Sequence, residues 1–369
     1  MAAAPPLEGM RVLDLSRVLA GPFCTQLLAD LGADVVKVER PGAGDETRAW
    51  GPPFRGGESV YFMSANRGKR SVAIDLADPR GRDLVLLLAR TADVAIENFR
   101  EGAAERLGIG REALDAARPG IVYCSIEGYG SGREPAGRPG YDFVIQAESG
   151  LMAITGPVDG EPSKAGVALV DVIAGLHAAA GILAAHARQA RTGEGEHVRV
   201  SLLDAGLAAL VNVGAAALVT GREPARHGNA HPSIAPYQTL RAADAELALA
   251  APNDPMFRRV CEAIGRPELA DDPRFAGNAE RVAHREALIE ALEAELARRP
   301  AQEWIDELLA RGVPAGKVRG VREAFDAAAA SGRAASTTVR HPTAGEVELP
   351  AGAIRLADTE PPAPAAPPL

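Results

Sequence analysis

The sequence predicts an α/β protein: a mostly parallel sheet in a large domain, joined to a smaller α+β domain. Two observations predict it. Over the first 130 or so residues, short apolar β-rich runs alternate with helical patterns, as successive βαβ units require. Beyond Arg222 the pattern becomes two short strand-like runs followed by amphipathic helices, which marks a second unit. With 369 residues, 47% of them apolar and 24% charged, the chain can supply a core to each.

The elements follow in order. Residues 12–16 (VLDLS) read as a strand and 22–31 as a helix with Pro22 near its first turn and Gly32 as its stop. Strands are expected at 35–39 (VVKVE), 71–76 (SVAIDL), 94–98 (VAIEN) and 121–127 (IVYCSIE). A helix is expected at 79–92, with Leu84, Leu87 and Leu88 on one face. The stretch 128–140 (GYGSGREPAGRPG) is a Gly- and Pro-rich loop, read as a close backbone approach, a mobile lid or a plain connection. Residues 172–190 form an Ala-rich helix ended by Thr192-Gly193, and 201–220 a second long helix. Both are too apolar for the surface and are expected to be buried, within the chain or against another subunit. In the second unit, 238–240 and 246–251 form a small sheet, with helices at 255–265, 281–298 and 301–312 and one more at 321–329. Residues 341–356 read as strand and turn, and 357–369 as a proline-rich extended tail.

Composition narrows the function. A net charge of −9 without a basic run argues against nucleic-acid partners. The three cysteines, Cys24, Cys124 and Cys261, lie far apart and form no CxxC pair, so no disulfide framework or thiolate metal site is expected; they read as buried apolar groups. The seven histidines show no metal-ligand spacing, and His177 and His186 read as core residues of the first apolar helix. Apolar stretches are interrupted before membrane-spanning length and the N-terminus lacks a signal-peptide pattern, so a cytoplasmic protein without a membrane partner is expected.

The carboxyl ends of the expected strands carry Ser16-Arg17, Arg40, Asn98-Phe99-Arg100 and Glu127-Gly128. Ligands of open α/β sheets sit at these ends, so the arginines and Asn98 converge on an anionic ligand, although GxGxxG and the P-loop are both absent. Asp171 follows the apolar run 167–170 and precedes a helix. On local sequence it reads first as a structural N-cap. The same position would keep a carboxylate ionised and suit a nucleophile. His231, with Ser233 and Tyr237 in the loop 228–237 (GNAHPSIAPY), is a weaker candidate for substrate contact. No GxSxG elbow is present.

An ordered series of segments resembles the class III CoA-transferase (CaiB/BaiF) family. They are LEGMRVLDLSRVLAGPFCTQLLADLGADVVKVERP (7–41), NRGKRS (66–71), ENFREGAAERLG (97–108), GYDFVIQAESG (140–150), ALVD ending at Asp171, and RTGEGEHVRVSLLDA (191–205). GNAHPSIAPY, DDPRF (271–275) and GVPAGKV (312–318) continue the likeness, which spans about residues 7–356. The resemblance implies a Rossmann-like large domain built from residues 1–222 and 319–369, a small domain from 223–318, and a homodimer whose subunits interlock. It implies an acyl-CoA donor and a carboxylic acid acceptor as substrates, with no tightly bound cofactor and no metal. Asp171 would be the nucleophile, acylated to an anhydride and then carrying CoA as a thioester, with Asp142 and Tyr141 in support. CoA contacts would fall on Val18, Leu19, Arg40, Asn98, Phe99 and Arg106, and more weakly on Arg70 and Arg138. The related racemase branch carries a His where this chain has Tyr141, which favours transfer over α-methylacyl-CoA racemisation; a non-catalytic acyl-CoA-binding protein is the remaining alternative. GNAHPSIAPY replaces the glycine-rich lid of the formyl-transferring branch and is similar to relatives using succinyl-CoA and short dicarboxylic acids. The family pattern continues past 367–369 with another helix, where this chain stops.

Overall fold

The computed structural model of the chain describes residues 3–130 and 138–369; of the Gly- and Pro-rich loop, 131–137 lie outside the described residues. The chain divides into two compact units, Met1–Ala153 with Lys164–Pro224 and Ala328–Leu369, and Ile154–Ser163 with Ala225–Ala327. The short segment Ile154–Ser163, which the sequence pattern does not separate from the first domain, joins the second unit, as do residues 319–327.

The first unit is built on six strands: β1 (Arg11–Asp14), β2 (Asp34–Glu39), β3 (Lys69–Ala73), β4 (Val94–Glu97), β5 (Val122–Glu127) and β6 (His197–Ser201). They lie in the order β3-β2-β1-β4-β5-β6, every pair parallel, with Val12 opposite both Val35 and Val94. Such a sheet is covered on both faces, so its strands are continuously apolar. Val12, Val94, Val122 and Cys124 pack on one face; their neighbours Leu13, Ala95 and Tyr123 belong to the core on the other. Helix α1 (Ala20–Asp30) covers the first face, contributing Cys24 and Leu28; α2 (Pro79–Ala89) and α3 (Arg111–Ala117) cover the second. All three cysteines are buried.

Two further helices set the site. α4 (Asp142–Glu148) is short; α5 (Leu169–Thr192) runs 24 residues and ends at Gly193, whose φ of +71° a glycine adopts without strain. By length and composition α5 could cross a bilayer, which the sequence pattern does not lead one to expect of this stretch. Its Ala174, Ala178 and Ile182 are nevertheless fully buried in the core beside α1. Gly175 lets the two helices meet: a Cβ there would lie 2.7 Å from the carbonyl oxygen of Ala20 and 3.1 Å from the Phe23 ring.

Two expectations about these helices need correction. The apolar stretch 201–220 is not one helix: Ser201 closes the unanticipated edge strand β6, and α6 (Leu202–Ala208) and α7 (Val211–Thr220) meet at an 82° bend, with Val211 at a φ of +40°. α7 buries none of its residues within the chain; Leu218 and Val219 are 89% and 85% exposed. The histidines of α5 are not core groups, because His177 is exposed and His186 is half-buried with its Nδ1 2.9 Å from Gln189 Oε1.

In the second unit, β7 (Tyr237–Arg241), β8 (Glu246–Ala250) and β9 (Ala315–Lys317) form an antiparallel sheet in the order β9-β8-β7. α8 (Asp254–Ala263), α9 (Arg285–Leu296) and α10 (Ala301–Ala310) pack against it around Phe257, Leu292 and Trp304. The expected helix 281–298 is broken at His284, leaving Asn278–Ala283 as a separate short helix. Arg281, fully buried, ties this unit together by donating to the carbonyls of Ala235 and Phe275 and to Asp254. In the first unit, residues 336–341 and 345–350 pair as a hairpin.

The Gly175 contact yields a stability test. Gly175→Val forces α1 and α5 apart against backbone and is expected to cost about 1–3 kcal/mol, read as a lowered urea midpoint with an unchanged m-value. A midpoint equal to wild type would show that the helices can separate freely.

Candidate active site

The order β3-β2-β1-β4-β5-β6 has its switch point between β1 and β4, where the connections diverge and leave a crevice at the carboxyl ends of the strands. A cavity of about 440 Å³ opens there. Its wall includes Val18, Leu19, Asn98, Phe99, Arg106, Arg138, Tyr141 and Asp171, so eight residues singled out in the sequence share one space. Arg17, Glu46 and Arg100 line it as well. Arg40 and Arg70 do not. Arg70 stands near the amino end of β3, with a guanidinium nitrogen 2.6 Å from Asp34 at the start of β2, on the edge of the sheet away from the crevice. Arg40 is exposed.

Asp171 is not the N-cap of α5. Ala168 occupies the cap and Asp171 lies in the first turn. The capping acceptor comes from elsewhere in the chain. Asp142, in the first turn of α4, accepts from the backbone N–H of Val170 at 2.8 Å and of Asp171 at 3.3 Å through Oδ1. Its Oδ2 accepts from Gln146 Nε2 at 2.7 Å, and Gln146 Oε1 accepts the Ala165 N–H at 2.8 Å. The free donors at the helix start thus serve Asp142. Asp171, 8% exposed, receives no hydrogen bond on its carboxylate among the described residues. Burial, and then the neighbouring charge of Asp142, push its pKa up to about 7. The expectation that helix N–H groups keep Asp171 ionised is therefore reversed. At neutral pH it is partly protonated, and when ionised it is a more basic carboxylate than usual, which favours attack on carbonyl carbon.

The loop between β1 and α1 is fixed on three sides. Arg17 exchanges two hydrogen bonds with Asn98: its N–H donates to Oδ1 at 2.8 Å and its carbonyl accepts from Nδ2 at 2.7 Å. Asn98 is thus engaged in joining the two halves of the switch point. Ser16 is held by Asp14, whose carboxylate takes the Ser16 N–H, and by Lys37, whose Nζ donates to the Ser16 carbonyl at 2.7 Å. Val18 has a φ of +68°, a left-handed conformation that costs a β-branched residue about 1–3 kcal/mol. Its N–H points at Asp45, 3.2 Å away.

Sequence reasoning missed Lys37, Asp45, Glu97 and Tyr61. Lys37 is visible as the lone cation inside the apolar strand VVKVE; the partner that neutralises it is not. Glu97, at the end of β4, accepts the Phe99 N–H at 2.7 Å and the Tyr123 hydroxyl at 3.1 Å, and burial lifts its pKa to about 7 against those bonds. Tyr61, packed edge-on against Trp50, has its phenol pushed up to about 12 by burial and by the charges of Asp171, Asp142 and Asp45, so it stays neutral. His231, Ser233 and Tyr237 belong to the second unit. There the His231 ring tilts against Tyr237 with centroids 5.3 Å apart, and its Nδ1 accepts the Ser233 N–H at 3.1 Å.

Comparison with known proteins agrees with this architecture. The chain is 43% identical over 350 residues to succinyl-CoA:glutarate CoA-transferase of Mus musculus, covering 95% of this chain and 80% of the relative. It is 45% identical to succinate–glutarate CoA-transferase of Agrobacterium fabrum, covering 87% and 82%, and 40% identical to succinyl-CoA:mesaconate CoA-transferase of Haloarcula hispanica, covering 96% and 91%. A crystal structure of a CaiB/BaiF family protein from Brucella suis superposes with a TM-score of 0.88 at 41% identity, covering 100% of this chain and 97% of that one. The family model described as CoA-transferase family III matches residues 7–369, and the chain belongs to that family of CoA-transferases.

Proposed function

We propose that the protein moves CoA from an acyl-CoA thioester, succinyl-CoA foremost, to a short dicarboxylic acid, with Asp171 as the nucleophile. The observation that carries this reading is a buried carboxylate, without a hydrogen-bond donor among the described residues, on the wall of the switch-point cavity. The relatives named for succinyl-CoA with glutarate or mesaconate support the substrate class. Arg17, Arg100, Arg106 and Arg138 make the cavity receptive to phosphates and carboxylates.

In this reading the Asp171 carboxylate attacks the donor carbonyl, the C–S bond breaks, and CoA leaves as thiolate, forming a mixed anhydride. The thiolate then attacks the Asp171 carbonyl and releases the donor acid, giving an aspartyl-CoA thioester. The acceptor carboxylate attacks that thioester and expels CoA thiolate, which finally attacks the acceptor carbonyl of the second anhydride and regenerates Asp171. Asp142 orients the first turn of α5 and raises the basicity of its neighbour, and Tyr141 flanks the cavity. Val18, Leu19, Phe99 and Arg106 contact CoA, with Arg138 beside them; His231, Ser233 and Tyr237 contribute to acid selection. A racemase would need a base placed to exchange an α-proton, and no histidine lines the cavity among the described residues. A second copy of the chain covers the bare apolar face of α7.

Asp171→Asn is expected to lower transfer from succinyl-CoA to glutarate by roughly a thousandfold or more. Borohydride added during turnover is expected to convert residue 171 to homoserine, seen by peptide mass. Full activity in the Asn variant, or no modification at 171, would refute the nucleophile.

The pKa of about 7 gives a kinetic limb: kcat/KM for the donor is expected to fall tenfold per pH unit well below pH 7, and to be level above pH 8. An acidic limb near pH 4 would place the essential ionisation elsewhere.

The same shift sets a stability cost. The folded chain holds the Asp171 proton up to about pH 7 whereas an unfolded carboxyl releases it near 3.8, so the stability this group confers is full below pH 4 and lost as pH rises to 7. Asp171→Asn, which cannot ionise, is expected to melt higher than wild type at pH 8 and level with it at pH 4. A lower melting temperature at pH 8 would contradict this.

A further inference from the structure

Lys37 is fully buried in the middle of the sheet, where an apolar residue would pack without desolvation cost. Its ammonium joins the loop after β1 to the segment after β2. It donates to the Ser16 carbonyl at 2.7 Å and lies 2.9 Å from Asp45 Oδ2, and Asp45 in turn accepts the Val18 N–H. Asp45 also starts the short 3₁₀ turn Glu46–Ala49, because its Oδ1 accepts from the N–H and hydroxyl of Thr47, at 3.0 and 2.8 Å. Glu46 on that turn lines the cavity, with its carboxylate 3.4 Å from Arg17. One ion pair therefore fixes two segments of the cavity wall, and one of them is held in a backbone conformation that valine does not choose unaided.

We propose that the buried Lys37–Asp45 pair is a positioning device for acyl-CoA: by holding Val18 left-handed it keeps Ser16–Leu19 in the shape that receives the donor beside Asp171. Released from Asp45, the Val18 N–H would have no acceptor and the loop would relax toward negative φ, carrying Val18 and Leu19 off the cavity wall. The inference rests on the assignment of this cavity to CoA.

The test compares variants for free CoA binding by calorimetry and for steady-state rates. Lys37→Met with Asp45→Ala removes both charges and the acceptor of the Val18 N–H together, so no unpaired charge is left inside. This double variant is expected to bind CoA at least tenfold more weakly, and to raise KM for the acyl-CoA while KM for the acid is unchanged. Melting temperature serves as the control, because a merely structural pair would move it and leave CoA affinity alone. Adding Val18→Gly to this double variant is expected to recover part of the lost affinity, since glycine adopts a φ of +68° without restraint. Wild-type CoA affinity in the double variant, or no recovery with glycine, overturns the inference. Arg106→Glu separates the underlying reading: if reversing that charge on the cavity wall leaves CoA binding intact, the cavity is not the CoA site and both fall.

Discussion

The arrangement of the candidate site depends on Asp142 accepting the backbone N–H groups at the start of α5. A helix N-terminus favours a negative charge, and here two carboxylates compete for it. Asp142 holds the position, anchored by Gln146, and Gln146 also grips the segment leading into α5 through the Ala165 N–H. Asp171 is left beside that charge, buried and without donors among the described residues. Its proton affinity rises because the helix end serves its neighbour. The motifs GYDFVIQ and ALVD, separated in sequence, are thereby one structural unit.

The close approach at Gly175 makes the arrangement precise. α1 begins where the switch-point loop ends, and α5 carries the acidic residue; contact between them fixes the distance from loop to carboxylate. The two sides of the cavity are registered through this contact and through the reciprocal bonds of Arg17 and Asn98. Both depend on small or exact side chains, glycine in one case and a carboxamide able to donate and accept in the other.

Much of this is legible in the sequence, for local reasons. Five of the six strands show as apolar runs bounded by turn residues, and the residues after β1 and β4 read as ligand contacts from their place at the strand ends. What cannot be read depends on partners far along the chain. Asp171 looks like a cap because an Asp before an apolar helix usually is one; its displacement by Asp142, 29 residues earlier, has no local signature. The stretch 201–220 is rich in Ala, Leu and Val, which suits a long helix, and composition does not reveal the turn at Leu210-Val211 or the pairing of His197–Ser201 with β5. Arg70 is expected at the CoA site only from the family resemblance, and it falls at the amino end of its strand, away from the crevice. β3 starts at Lys69, so Arg70 stands near its entrance.

The cysteines acquire meaning from the chemistry. A CoA-transferase works with a thiol substrate, and any accessible thiolate of its own would be a partner for mixed disulfides with CoA. Cys24, Cys124 and Cys261 are each shut away from solvent, and burial raises the pKa of all three, that of Cys261 to about 12. With neither exposure nor thiolate character, they are poor targets for exchange. The chain can therefore work among reactive sulfur compounds without being modified by them.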